Sequence, residues 1–213
     1  MNGPQQPNFS QAFNHLEKDP VMAFLIETFG NDITLLDRYE SDHALALAQL
    51  IIEQQVSFKA AITIKGRFLE KIEGKTAQDI AQMDREDLKS IGISYRKVDY
   101  IQNVYRYFLD HSPPLEEMSG QDIIKALTQI KGIGRWTVEM FLIFVKGDRN
   151  IFSEGDLALI NSIKINYNEP ELKGALIKKF TQAWDPFNTI ASLLLWKSIE
   201  EKVYYNAEKQ RHK

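Results

Sequence analysis

Apolar residues recur along most of this chain at the three- and four-residue spacing of a helix, and nowhere do they alternate with polar ones for more than a few positions. The clearest stretch is 44–53, led by Ser41-Asp42-His43, where Ser41 or Asp42 offers a side-chain oxygen to the first amides of a helix. Helical patterning also starts near Phe9 and runs, with a break at Asp19-Pro20, to Phe29, and 31–37 is a connector. After Gln54-Gln55-Val56-Ser57 a second long helix covers 58–72, and Glu73-Gly74-Lys75 ends it. Two short helices, 76–83 and 84–90, are each led by a capping-type residue. The turn Ile91-Gly92-Ile93-Ser94 opens a helix over 95–109, which Ser112-Pro113-Pro114 terminates.

Further on, helical segments at 123–130, begun from Ser119 or Gly120, and at 136–145 flank a turn with two glycines. A loop over 147–155 leads to helices at 156–165, 169–180 and 186–204, the last with Pro186 in its first turn. No Asn-Gly hairpin signal appears. The pattern predicts an all-α fold of many short helices in two packed lobes, with a cleft between the middle helices and a set containing both termini. Residues 1–8 read as a loose arm, 9–204 as the helical domain and 205–213 as a polar tail.

Composition narrows this little. A chain of 213 residues, 44% hydrophobic and 26% charged, suits one large domain or two intimately packed halves. Cysteine is absent, which excludes disulfides, a zinc–thiolate centre, an iron–sulfur cluster and a cysteine nucleophile. The absence of a signal-like N-terminus or a long apolar run makes an intracellular, soluble protein with no membrane contact the expectation. The net charge of −3 does not advertise a nucleic-acid binder, but it speaks only to non-specific attraction and leaves a local phosphate site open.

Three stretches carry candidate chemistry. The first is Lys131-Gly132-Ile133-Gly134-Arg135-Trp136. Two glycines one residue apart allow a sharp reversal through φ > 0, and the helix beyond them presents bare N–H groups able to hold a phosphate. The same glycines also suit a tight helix–helix turn with no ligand. The second is Ile151-Phe152-Ser153-Glu154-Gly155-Asp156-Leu157, which puts an acid at a helix start. Asp156 there is either a cap or a reactive carboxylate. The third is Trp184-Asp185-Pro186-Phe187-Asn188 followed by Leu195-Trp196. An isolated tryptophan such as Trp196 on an amphipathic helix is expected to pack in the core.

In this order and spacing the three stretches resemble the helix-hairpin-helix DNA glycosylase superfamily, in particular its alkylation-repair branch. Glu53-Gln54-Gln55-Val56-Ser57-Phe58-Lys59-Ala60-Ala61 is similar to that family's Gln-Gln-x-Ser loop and helix, and Gly92 to Lys97 to its second turn. The resemblance covers roughly 9–202. It implies that Asp156 is the catalytic carboxylate and that Trp136, Trp196, Met140 and Leu157 line the pocket for a flipped base. It implies DNA contacts from Lys131, Gly132, Ile133, Gly134 and Arg135 at the hairpin, from Gln54, Gln55 and Ser57, and from Arg96 and Lys97. Gln55 stands where the family inserts a wedge into the gap left by the base. The carbonyls of Thr128, Ile130 and Ile133 would hold a structural monovalent cation, Na⁺ or K⁺; no other cofactor is implied. The strand-cutting branches carry a lysine at the position of Trp136, and that lysine attacks the sugar; tryptophan cannot.

The resemblance thus implies a monofunctional glycosylase that excises 3-methyladenine- or 7-methylguanine-type bases from double-stranded DNA, acting as a monomer in the cytoplasm, at the nucleoid if the host is bacterial. A non-catalytic DNA-binding module and a glycosylase for deaminated or oxidised bases are the alternatives. The sequence departs from the family pattern at Asn188, where arginine is expected, at Val138, where a small residue is usual, and at Ser153-Glu154, where proline is common. Met140 and Leu157 occupy positions that can be tyrosine, implying a less aromatic pocket. The separate N-terminal domain of some members has no counterpart.

Overall fold

Most helix starts are set by one short polar side chain. Asp19, Asp42, Ser57, Thr76, Asp84, Ser94, Ser119 and Asp156 each accept a hydrogen bond from a backbone amide two or three residues on, satisfying donors that no helical carbonyl can reach. A computed structural model of the chain describes residues 7–207, and among them these caps open eight of twelve α-helices, with no strand. In order they are α1 (Ser10–Leu16), α2 (Pro20–Phe29), α3 (His43–Glu53), α4 (Phe58–Ile72), α5 (Ala77–Gln82), α6 (Arg85–Lys89), α7 (Tyr95–His111), α8 (Gly120–Leu127), α9 (Arg135–Phe144), α10 (Leu157–Asn166), α11 (Gly174–Trp184) and α12 (Asn188–Glu201). The fold is all-α, as the periodicity predicts. The expected arm and polar tail fall largely outside the described residues.

Three of the boundaries that differ from expectation have a local reason. α8 stops at Leu127 rather than 130, because the amides of Gln129 and Ile130 turn to carbonyls three residues back and tighten the chain out of the helix. α11 starts at Gly174 rather than 169, since Asn168 is left-handed at φ 54° and Pro170 follows two residues later. Pro186 does not sit in the first turn of α12; its bond to Asp185 is cis, and the helix begins after Phe187.

The helices form two compact units, one from Arg38–Lys146 and one from the flanking segments on either side of it. In the middle unit α3 is the central element, packed against α4, α7 and α9, with Leu47, Ala48, Ile51 and Ile52 fully buried. α7 also carries α5 and α6, and α8 packs on α9. In the other unit α12 is central and packs on α2, α10 and α11.

That second core contains a polar knot. Asn166 donates from Nδ2 to Ser162 O (3.0 Å) and Ser198 Oγ (2.9 Å) and accepts the amide of Tyr205 at 2.8 Å, while Ser162 Oγ donates to Leu195 O at 2.7 Å. It joins α10, α12 and the segment after α12 without leaving a buried partner unmet. Asn166→Ala strands the Tyr205 amide, and a stability loss of about 2–3 kcal/mol is expected. Urea denaturation reads it as a lower midpoint at unchanged slope.

Candidate active site

The turn between α8 and α9 uses its two glycines differently. Gly132 is left-handed at φ 108°, and a Cβ built there would lie 2.1 Å from Cγ of Tyr100, so both the conformation and the space demand glycine. Gly134 is not left-handed: it is extended at φ −94° and ψ 171°, has open space around it, and serves as the cap residue of α9. No side chain caps that helix, so its leading N–H groups are presented as an anion site requires. Lys131 and Arg135 flank the turn and are exposed, and the Lys131 carbonyl accepts from Asn103 Nδ2 at 3.3 Å. Ile133 is buried beneath the turn.

Arg135 is aimed by a residue the sequence does not advertise. Its Nε donates to Oε1 of Glu139 at 2.8 Å, with the Glu139 side chain only 7% exposed and that of Arg135 67% exposed. The one sequence signal is the four-residue spacing of the two on a helix.

Three of the residues expected to face DNA make hydrogen bonds within the protein. Ser57 caps α4, its Oγ accepting from the Ala60 amide. Gln54 turns inward and donates from Nε2 to Thr137 Oγ1 at 3.0 Å and to Gly132 O at 3.3 Å. Lys97 is likewise engaged: its Nζ donates to Gln54 O at 2.7 Å and Ile52 O at 2.9 Å, closing the end of α3. Burial, and next the Arg96 guanidinium, hold the Lys97 ammonium below the usual lysine range. Arg96 and Gln55 are exposed, Gln55 in a left-handed conformation at φ 56°.

The expected pocket residues divide as sharply. Trp136 is half-buried in the first turn of α9. Met140, one turn on, is completely buried and belongs to the core of its unit, so it lines no open recess. Leu157 is the opposite case, 77% exposed at the start of α10. Trp196 is not a core residue, as helix amphipathicity would have it; it is half-buried and bonded to the acid.

That acid, Asp156, is at once the cap of α10 and the partner of Trp196. Its Oδ1 accepts the Leu159 amide at 3.0 Å and the Trp196 indole N–H at 3.2 Å. The loop that delivers it is pinned from α12. Thr189 Oγ1 donates to Asp148 O (2.7 Å) and accepts from the Ile151 amide (3.0 Å), while Asn188 Nδ2 donates to Asn150 Oδ1 (2.7 Å) and Thr181 O (3.1 Å). Asn188, standing where arginine is expected, thus serves as a buried brace. Neither it nor Thr189 is legible as such in the sequence, because partners about forty positions away leave no local pattern.

Asp156, Leu157 and Trp196 lie in the unit that includes the flanking segments; the hairpin, Trp136, Gln54, Gln55, Arg96 and Lys97 lie in the middle unit.

Residues 48–186 match the model of the HhH-GPD superfamily of base excision DNA repair proteins. The chain is 33% identical over 161 residues to DNA-3-methyladenine glycosylase 1 of Schizosaccharomyces pombe, covering 71% of this chain and 70% of that one. Among solved structures it is similar to S. pombe 3-methyladenine DNA glycosylase in complex with abasic DNA, with a TM-score of 0.81 and 30% identity over 90% of this chain and 97% of that one. It is also similar to a DNA-3-methyladenine glycosidase from Bacillus halodurans, with a TM-score of 0.75 and 28% identity over 99% and 100% of the two chains. With more than half its length matched, this chain belongs to the HhH-GPD superfamily of base excision DNA repair proteins.

Proposed function

We propose that the protein is a monofunctional DNA glycosylase that flips alkylated purines of the 3-methyladenine or 7-methylguanine type out of duplex DNA and hydrolyses their N-glycosidic bond, leaving an abasic site. The observation that carries this reading is the Asp156 carboxylate, oriented by the Leu159 amide and the Trp196 indole, in a chain that has tryptophan rather than lysine at 136. Relatives named for 3-methyladenine support the substrate class.

The chemistry follows from the substrate. An N-alkylated purine is cationic and leaves without strong acid catalysis, so the barrier lies in flipping the base and in the oxocarbenium-like sugar that remains. Asp156 stabilises that sugar and orients the attacking water. An indole face such as that of Trp136 or of Trp196 favours a cationic base by about 0.5–2 kcal/mol. The hairpin amides with Lys131, Arg135 and Arg96 hold phosphates, and Gln55 fills the gap in the stack. The carbonyls of Thr128, Ile130 and Ile133 are oxygen donors past the end of α8, suited to a monovalent cation; the Ile130 carbonyl already accepts the Ile133 amide at 3.0 Å. Such an ion would supply only a fixed positive charge near the backbone.

The protein acts as a monomer in the compartment that holds its DNA; no helix among the described residues is long and apolar enough to cross a membrane. The test is chromatography of bases released from methylated duplex, with uracil and hypoxanthine duplexes in parallel. Methylated purines are expected from the first and little from the others. Release of no base from any duplex would leave a non-catalytic DNA-binding module. Borohydride is expected to trap no covalent protein–DNA adduct, since no amine at 136 forms a Schiff base; an adduct that survives denaturing electrophoresis would overturn the monofunctional reading.

A further inference from the structure

Gln54 and Lys97, the two polar side chains that turn inward, both end on the segment carrying Gln55 or on the hairpin. α3 stops at Glu53, and the last carbonyls of a helix have no amide partner of their own. Lys97, from the first turn of α7, supplies the missing donor to two of them, at Ile52 and Gln54. The next residue, Gln55, is left-handed, a conformation a non-glycine residue keeps only where its surroundings impose it. On its far side Ser57 starts α4. Glu53, on its near side, is clamped by Lys65 at 2.6 Å and Arg38 at 3.3 Å. From Gln54 the side-chain amide spans to the left-handed glycine of the hairpin and to Thr137 in the first turn of α9. The Gln55 segment is therefore tied to the starts of both helices that follow a glycine turn, the one at Gly92 and the one at Gly132.

We propose that Gln54 and Lys97 are positioning residues that preset Gln55 and join it to the hairpin, so that gripping the phosphate backbone and filling the vacated stack occur as one event. The inference rests on the reading of Gln55 as the wedge. A wedge on a loose loop would have to be ordered during binding, at a cost to affinity and to the rate of reaching the flipped state. Here Lys65 from α4, Lys97 from α7, Arg38 before α3 and Gln54 just past its end order the segment beforehand and leave the Gln55 side chain exposed toward DNA.

The test uses the full chain with Gln55→Ala, Gln54→Ala, Lys97→Met and the two double variants. One readout is single-turnover excision of 7-methylguanine from duplex. The other is the fluorescence of 2-aminopurine beside a tetrahydrofuran abasic analogue, which reports local unstacking. Gln54→Ala and Lys97→Met are each expected to slow excision about fivefold to tenfold and to lower the 2-aminopurine signal when Gln55 is present, and to do little further in the Gln55→Ala background. Lys97→Arg, which keeps a donor to the two carbonyls, should recover part of both signals. Losses that add fully to that of Gln55→Ala, or excision that falls while the 2-aminopurine signal holds, would overturn the proposal. Should Lys97→Met fail to fold, the half-buried Gln54→Ala variant decides alone. A Gln55→Ala protein with unaltered unstacking would strike the wedge reading itself and take this proposal with it.

Discussion

Asp156→Asn is expected to lower single-turnover excision of methylated purines at least about a hundredfold, the scale of removing one preorganised charge from a transition state. The substitution isolates charge from structure. Asparagine is as good a helix cap as aspartate, and its carbonyl oxygen can still accept the Leu159 amide and the Trp196 indole N–H now held at 3.0 and 3.2 Å. Thermal stability and affinity for an abasic-analogue duplex should therefore stay close to those of the parent protein. Asp156→Ala removes the cap as well and should cost about 1 kcal/mol of stability in addition. Excision at the parental rate by the asparagine variant would remove Asp156 from the mechanism and leave it as a cap alone. An equal loss of DNA affinity would instead place the carboxylate in binding rather than chemistry.

Gly132→Ala is expected to cost about 2–4 kcal/mol of stability and to weaken duplex binding more than tenfold, from left-handed strain compounded by overpacking. The methyl group would fall 2.1 Å from Cγ of Tyr100, and the backbone at φ 108° is one that alanine does not adopt. Tyr100 lies on α7, so relief of the clash means moving either that helix or the hairpin. Gly134→Ala is the internal control: the site is open and extended, so stability should change by no more than about 1 kcal/mol, the usual penalty for alanine at a cap. Urea melts and fluorescence anisotropy on an abasic-analogue duplex measure the pair. Equal damage from both substitutions would mean that the hairpin needs two small residues rather than one left-handed one.

The contrast between these two glycines shows what a linear motif can carry. Gly-x-Gly at a helix–helix turn announces a reversal, because the glycine backbone is permissive, but the spacing does not say which glycine is left-handed. Tyr100, thirty-two positions away, gives Gly132 its steric reason. The same holds for the helix starts. Asp42, Ser57, Thr76 and Ser94 cap within three residues of themselves, and their helices fall where the pattern puts them. α11 departs because a left-handed asparagine and a proline outweigh apolar spacing.

The sequence by itself determined the all-α class, most helix boundaries, the hairpin with its bare helix start, and the acid at the head of α10, since each depends on interactions within a few residues. The motif order that marks the family was legible for the same reason. Only the tertiary structure decided which polar and aromatic side chains face outward. It sent Met140 into the core and Leu157 into the open, turned Gln54 and Lys97 inward, joined Trp196 to Asp156, and placed Glu139 behind Arg135. Those outcomes depend on which neighbour supplies a carbonyl or a close-packed wall, and chain order does not encode that neighbour locally.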